Sequence, residues 1–147
     1  MELCKPIVAQ SLSSKAASIV LSLGYNRLSS MRSDSEPERQ IKIFIFWMAW
    51  WLDTSFSVRL GRAPIIRSHD IAVPQLSEDS IIPTGWVSAF NYCTRLSGLQ
   101  CKVVEQLYTP AAVKETAEER SKRASQLLNE LDQARDARGQ VILCSWL

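Results

Sequence analysis

The chain has 147 residues, a length typical of one ordinary domain or of part of a larger one. Hydrophobic residues make up 46% and charged residues 22%, so the composition favours a packed core over extended disorder. Seventeen lysines and arginines against fifteen aspartates and glutamates leave a net charge of +2. This balance excludes a nucleic-acid binder that acts through bulk positive charge.

The cysteine spacing argues against two further classes of protein. Four cysteines stand at positions 4, 93, 101 and 144, none in a C-x-x-C pair, and His69 is the only histidine. Structural zinc sites use four thiolate or imidazole ligands, usually in close pairs. The spacing therefore predicts neither a zinc site nor a disulfide framework. The first residues also lack the basic-then-apolar order of a signal peptide, so we expect a reducing, intracellular environment.

The first predicted helix covers residues 7–23. Apolar side chains recur there every three or four residues, and serines take the opposite face. Pro6 lies near its start, and Gly24 follows its end, where a left-handed residue commonly stops a helix. The side chains expected to face the core are Val8, Leu12, Ala16, Ile19, Val20 and Leu23.

A second helix is predicted to begin at a capping box formed by Ser35 and Glu38. It continues through residues 43–52, an unbroken run of ten apolar residues. A bilayer needs about twenty, so this run does not indicate a membrane span. A helix that is apolar all round belongs in the middle of a helical core. The pattern ends at Gly61.

The second half of the chain predicts a connector and two more helices. Residues 61–83 contain several prolines and read as an extended connector, held to the protein by the pairs Ile65-Ile66 and Ile81-Ile82. A third helix is predicted over 85–109, with Phe90, Cys93, Cys101, Val104 and Tyr108 on one stripe. A fourth begins at Thr109-Pro110 and runs to about Arg138, with Val113, Ala117, Ala124, Leu127, Leu128, Leu131 and Ala134 facing inward.

The predicted fold class is all-α, an irregular domain of about four helices with a long proline-containing connector. The chain closes on an apolar run at residues 141–147. Natural termini are usually polar and frayed. We therefore expect this run to open a further buried element, and the chain to be an internal portion of a larger helical domain.

One segment is more specific than helix patterning requires. Residues 44–74 read FIFWMAWWLDTSFSVRLGRAPIIRSHDIAVP. The "FW", "LD", "LGR" and "D-I" elements of this segment resemble the middle homology region, the regulatory domain of fungal zinc-cluster transcription factors. Leu23–Arg27 (LGYNR) and Val104–Tyr108 (VEQLY) resemble two further helix ends of that family, so the resemblance extends over about residues 3–138.

The resemblance implies a nuclear regulator of transcription by RNA polymerase II rather than an enzyme. The family reads DNA through a six-cysteine, two-zinc cluster followed by a dimerising coiled coil. Neither is present here, so residues 1–147 are expected to be part of the regulatory domain. DNA and zinc would be bound only outside this chain, which would hold no cofactor. The expected partners are other parts of the regulator or partner proteins, and no membrane; a small-molecule effector and self-association stay open.

The residues of the family signature are expected to be structural: Phe46, Trp47, Asp53, Arg59, Gly61, Arg62 and Asp70. Asp53 interrupts an apolar helix, and a buried carboxylate is expensive unless it is paired. We expect a structural ion pair or a cap, with Arg39, Arg59 and Arg62 as candidate partners; a ligand-sensing or catalytic carboxylate is the alternative. Gly61 should adopt a left-handed conformation after the helix. Arg59 and Arg62 should favour the negative end of the helix dipole, and an anion contact by Arg62 is the alternative.

Two other classes of function compete with a regulatory domain. The first is a helical binding module that acts alone, for instance a truncated paralogue that sequesters a regulator. The second and weaker is a small enzyme, since the sequence offers no metal-ligand set, nucleotide loop or catalytic triad. His69 and Asp70 are adjacent, but no serine or cysteine is placed by the sequence to act as their nucleophile.

Overall fold

The computed structural model describes residues 6–77 and 82–144, without the side chains of Thr84 and of residues 137–144. The described part is all-α and contains no strand, as the sequence predicts. It forms two compact units, Met1–Thr94 and Arg95–Leu147, and the third helix contributes to both. The five helices are α1 (Pro6–Ser22), α2 (Glu36–Arg59), α3 (Thr84–Val103), α4 (Pro110–Val113) and α5 (Ala117–Cys144).

Helix α2 begins at the predicted capping box. The carboxylate of Glu38 accepts the backbone N–H of Ser35 at 2.9 Å and its hydroxyl at 2.7 Å. The hydrogen bond from the Ser35 hydroxyl lowers the pKa of Glu38, because it stabilises the ionised carboxylate. Pro37 lies in the first turn, where its missing N–H is not needed. These local contacts set the start of the longest helix in the first unit.

The core of the first unit surrounds the apolar part of α2. The rings of Trp47 and Trp50 meet edge to face with centroids 5.3 Å apart, a favourable geometry for aromatic pairs. Phe90 brings α3 against α2, since its ring centroid lies 5.3 Å from that of Phe44 and 6.0 Å from that of Trp51. The buried core consists of Ala17, Val20, Met31, Ile43, Phe46, Trp47, Ala49, Trp50, Ile66, Val73, Leu76, Val87 and Phe90.

Helix α1 packs on α2 through a different face from the predicted one. Its buried residues are Gln10, Ser13, Ala17 and Val20. Of the side chains predicted to face the core, only Val20 does so, and the others are exposed: Val8, Leu12, Ala16, Ile19 and Leu23. The prediction was wrong because it took the apolar stripe as the inner face, whereas small and polar side chains of α1 meet α2 beside the buried carboxylate of Asp53.

The predicted glycine stops are present at the ends of α1 and α2. Gly24 has φ +73° and Gly61 has φ +64°, the left-handed conformation that costs glycine least. After α2, the N–H of Arg62 donates to the carbonyl of Ser57 at 2.8 Å, and the N–H of Gly61 donates to the carbonyl of Val58 at 3.1 Å. This pair of bonds is a Schellman motif, which satisfies carbonyls at the helix end and turns the chain back.

The third and fourth predicted helices each end or break earlier than expected. Helix α3 ends at Val103, and Val104–Tyr108 form a π-helical turn, so Tyr108 is exposed rather than part of an inner stripe. The helix predicted from Pro110 onward is divided into α4 and α5. The break occurs at Thr116, whose hydroxyl accepts the N–H of Glu119 at 3.2 Å while the Glu119 carboxylate accepts the N–H of Thr116 at 3.1 Å.

The predicted inner face of the fourth helix is correct in part. Leu127 and Ala134 are buried, and Ala124 is half-buried. Four other residues predicted to face inward are exposed: Val113, Ala117, Leu128 and Leu131. Val113 lies on α4, before the division at Thr116, whereas the other three lie on α5, where only the side of Leu127 and Ala134 is buried. The predicted burial of residues 141–147 concerns side chains outside the described part of the chain.

Candidate functional site

Asp53 stands at the centre of the signature segment. It lies on α2 and is fully buried. One carboxylate oxygen, Oδ2, accepts the backbone N–H of Ile65 at 2.6 Å and of Ile66 at 3.2 Å. The other, Oδ1, accepts the hydroxyl of Ser14 at 3.0 Å. Three donors therefore compensate the burial of the charge.

The predicted ion pair of Asp53 with an arginine was wrong. Arg39 pairs with Glu36 at 2.6 Å instead, and Arg59 is the exposed last residue of α2. Arg62 donates from Nη1 to the side-chain oxygen of Gln10 at 3.0 Å. Backbone amides replace the arginine because the Schellman turn at Gly61 brings residues 65 and 66 back alongside α2, where their N–H groups meet the carboxylate.

The contacts of Asp53 continue into α1. Gln10 donates from Nε2 to the Ser14 hydroxyl oxygen at 3.0 Å, and Ser14 in turn donates to Asp53. Arg62, Gln10, Ser14 and Asp53 thus form one hydrogen-bonded chain, here called the Asp53 network, which also includes the amides of residues 65 and 66. Sequence reasoning missed Gln10 and Ser14, although their i, i+4 spacing places both on one face of α1.

A second set of bonds holds the far end of the signature segment. Trp47 is buried and donates from Nε1 to the carbonyl of Pro74 at 2.7 Å. Asn26 donates from Nδ2 to the carbonyl of Asp70 at 2.8 Å, and the carbonyl of Asn26 accepts the N–H of Ala72 at the same distance. The connector is therefore fixed to α2 and to the turn after α1.

Asp70 itself shapes the connector locally. Its carboxylate accepts the N–H of Arg67 at 3.1 Å, at the start of a 3₁₀ turn over Ser68–Asp70. His69 is largely exposed, and its Nε2 lies 3.9 Å from Oδ1 of Asp70. Of the two isoleucine pairs predicted to hold the connector, Ile66 is buried and Ile65 is exposed, while Ile81 lies outside the described residues.

Two buried polar atoms on α2 lie outside these bonds. The hydroxyl of Ser57, one turn after Asp53, is fully buried and has no hydrogen-bond partner among the described residues. The same holds for the indole N–H of Trp50. Phe46 is also fully buried and meets Trp47 edge to face at 5.6 Å. These side chains are packing elements of the core rather than groups presented to solvent.

The arrangement supports structure more clearly than catalysis. The seven signature residues are buried, bonded to backbone or placed at a helix end, and none lines the open depression of about 380 Å³ formed by Leu28, Ser29, Met31, Arg32 and Arg39. Among the side chains that the structure describes, which end at residue 136, no three from His, Cys, Asp or Glu are grouped to hold a metal ion. Within residues 6–77 and 82–144, no helix has both the length and the apolarity to cross a membrane.

Comparison with known proteins assigns the chain to a family. The family model described as "Fungal specific transcription factor domain" matches residues 4–136. No curated protein and no solved structure shows a significant match. The family match spans most of both units and the whole of the signature segment. The chain therefore belongs to the fungal specific transcription factor domain family.

Proposed function

We propose that this chain is a regulatory domain of a nuclear fungal transcription factor and acts on RNA polymerase II transcription through protein contacts. The observation that supports this proposal is that the signature residues hold the fold together and are not presented to solvent as a reactive site. Asp53 is fully buried and bonded to the backbone of the connector, and Trp47 is bonded to the carbonyl of Pro74. A segment of this kind builds a scaffold that other surfaces can use, and the family match gives the setting.

DNA reading and zinc binding belong, on this proposal, to a zinc-cluster module outside the chain. The support is electrostatic: the net charge is +2, and the 17 basic residues are scattered among 15 acidic ones. A DNA-binding protein clusters Lys and Arg on one face to neutralise phosphates. Each neutralised phosphate adds about −0.9 to the slope of log binding constant against log salt concentration. The purified chain titrated into a labelled duplex at two salt concentrations should show no sequence-dependent binding. Metal analysis of the same sample should show no stoichiometric zinc.

The regulatory role is tested by tethering. The chain is fused between an unrelated zinc-cluster DNA-binding module and an activation domain and placed in a fungal cell with a matching reporter gene. We expect the wild-type chain to change reporter output relative to a flexible linker of equal length, because a folded regulatory domain makes contacts that a linker cannot make.

The variant Asp53→Ala distinguishes a change in reporter output that needs the folded domain from a change caused by inserted length alone. It removes the acceptor of the connector amides, so the altered output should return towards the linker value. Asp136→Ala, at an exposed position of α5, is the matched control and should behave as the wild type. Equal outputs from linker, wild type and Asp53→Ala, at equal protein levels, would contradict a regulatory role for this chain.

A further inference from the structure

The outer face of α1 carries an aliphatic stripe that is exposed in the described part of the chain. Val8, Leu12 and Ile19 lie on this face, Leu23 continues it one residue past the end of α1, and each of the four is between 52% and 63% exposed. Ala16 completes the stripe and is also exposed. Isolated exposed apolar residues need no explanation, but a continuous row along a whole helix marks a contact surface. These five residues are called the α1 stripe below.

The spacing of the α1 stripe fits a helical partner. Leu12, Ala16, Ile19 and Leu23 are separated by four, three and four residues, the spacing of a coiled-coil seam. The small side chain of Ala16 lies in the middle and allows two helix backbones to approach. The seam from Leu12 to Leu23 covers 12 residues, which is about 17 Å of helix and fewer than two heptads, and Val8 lies one turn before it.

The α1 stripe is almost uncharged, so a second copy of the same stripe can face it without repulsion. Lys15 is the only charged residue between Pro6 and Ser22, and it lies at one edge of the stripe rather than within it. In a parallel pair of helices, each edge of one helix faces the opposite edge of the other. Lys15 would therefore not meet the Lys15 of a second copy.

The area of the stripe is sufficient for a small specific interface. Its aliphatic side chains expose on the order of 400 Å² of surface, within the size range of a functional patch. With the serines and Lys15 along its edge, two copies would bury about 1,000 Å² in total, the lower limit for a biological interface. A two-fold contact uses the same patch on both copies, so one self-complementary stripe is enough.

We propose that two copies of this chain associate through their α1 stripes, in a parallel pair of α1 helices. This inference deepens the interaction role proposed above by naming a partner, and it rests on exposure and spacing in the first unit alone. It also explains why the apolar periodicity of α1 pointed to burial: the stripe is buried by a second copy rather than by α2.

Sedimentation of the full chain tests the pairing. We expect a weak pairing with a micromolar Kd, so sedimentation is measured from about 1 μM to about 300 μM of the chain. A reductant is present throughout, which excludes disulfide dimers. We expect a monomer at the lowest concentration and a dimer at the highest. Leu12→Glu places two carboxylates in the seam and should raise Kd at least about 100-fold.

Controls separate loss of the seam from loss of the fold. Leu12 is exposed, and glutamate is nearly as good a helix former as leucine, so the far-UV spectrum should match that of the wild type. Ile19→Glu is a second seam variant with the same expectation. Leu128→Glu, at an exposed leucine of α5, should leave Kd within about threefold of the wild-type value.

Three results would overturn the proposal: a monomer at every concentration, a Kd unchanged by both seam variants, or association lost in Leu128→Glu and kept in Leu12→Glu. These outcomes are independent of the reporter experiment. A monomeric chain that still changes reporter output would leave the regulatory role intact and remove only the α1 pairing.

Discussion

Replacing Asp53 by alanine removes one acceptor from three donors at once. The donors are the backbone N–H groups of Ile65 and Ile66 and the hydroxyl of Ser14. Ser14 can turn its hydroxyl towards another acceptor, and Ile65 lies near the surface. The N–H of Ile66 is buried and has no such alternative.

The expected cost follows from these differences. An unsatisfied buried donor costs about 1–3 kcal/mol, and a lost hydrogen bond to a charged group about 1.5–3 kcal/mol. Relief of the desolvation of the carboxylate offsets part of this sum. We expect Asp53→Ala to lower the free energy of unfolding by about 3 kcal/mol, or Tm by roughly 10 °C for a chain of this size. Asp53→Asn keeps one carbonyl oxygen for the two amides and should cost about 1 kcal/mol.

Chemical denaturation followed by tryptophan fluorescence measures this effect, since Trp47 and Trp50 are buried in the same helix as Asp53. Asp136→Ala is the matched control at an exposed acid and should lie within about 0.5 kcal/mol of the wild type. If Asp53→Ala is as stable as this control, the carboxylate does not hold the connector, and the hydrogen bonds assigned to it are wrong.

Three further predictions concern single positions in the first unit. Gly61→Val should lower the free energy of unfolding by about 1–2 kcal/mol, because Gly61 has φ +64°. Gly85→Ala, at a helical glycine with open space at Cβ, should raise it by about 0.5 kcal/mol. Equal denaturation midpoints for the two variants would refute the left-handed assignment of Gly61. In the same assay, Ser57→Ala should be neutral or slightly stabilising, because it removes a buried hydroxyl without a partner. Ser14→Ala should lower the free energy of unfolding by about 1–2 kcal/mol, because it removes a donor to Asp53. The reverse order of stabilities would contradict the Asp53 network. The folded pKa of Glu38 is lowered, so its contribution is present above the unfolded pKa of about 4.3 and is lost as pH falls through the folded pKa. Glu38→Gln should therefore lose less stability than the wild type between about pH 5 and about pH 3, and an unchanged pH profile would argue against the capping box.

The parts of the fold that the sequence predicted correctly depend on local signals. The start of α2 is encoded by Ser35 and Glu38, its interior by ten consecutive apolar residues, and its end by Gly61. Each signal acts within one or two helical turns, so no knowledge of the rest of the fold is needed. The break at Thr116 has a local signal of the same kind, a second capping box with Glu119, and could have been predicted.

The inner face of α1 could not be predicted from apolar periodicity. Periodicity indicates which side chains avoid water, but it does not identify the surface that covers them. Here the buried carboxylate of Asp53 on α2 selects the polar face of α1, because Ser14 donates a hydrogen bond to it. The cost of burying an unpaired charge exceeds the gain from burying a leucine or isoleucine in its place.

The partners of Asp53 were hidden for a related reason. The sequence shows that a carboxylate interrupts an apolar helix, and side-chain cations are the partners that a sequence displays. Backbone N–H groups are present at every residue other than proline, so only the path of the chain determines which of them reach the carboxylate. Residues 65 and 66 reach it because Gly61 reverses the chain at the end of α2.

The family signature builds a scaffold in which Asp53 holds the connector against α2. Amide hydrogen exchange, read residue by residue by NMR, tests this claim most directly. In the wild type, the N–H of Ile66 should be protected to a degree close to that of the amides in the middle of α2. In Asp53→Asn, which keeps the fold, its protection should fall more than that of α2. Rapid exchange at Ile66 in the wild type, or protection unchanged in both Asp53→Asn and Asp53→Ala, would contradict the account.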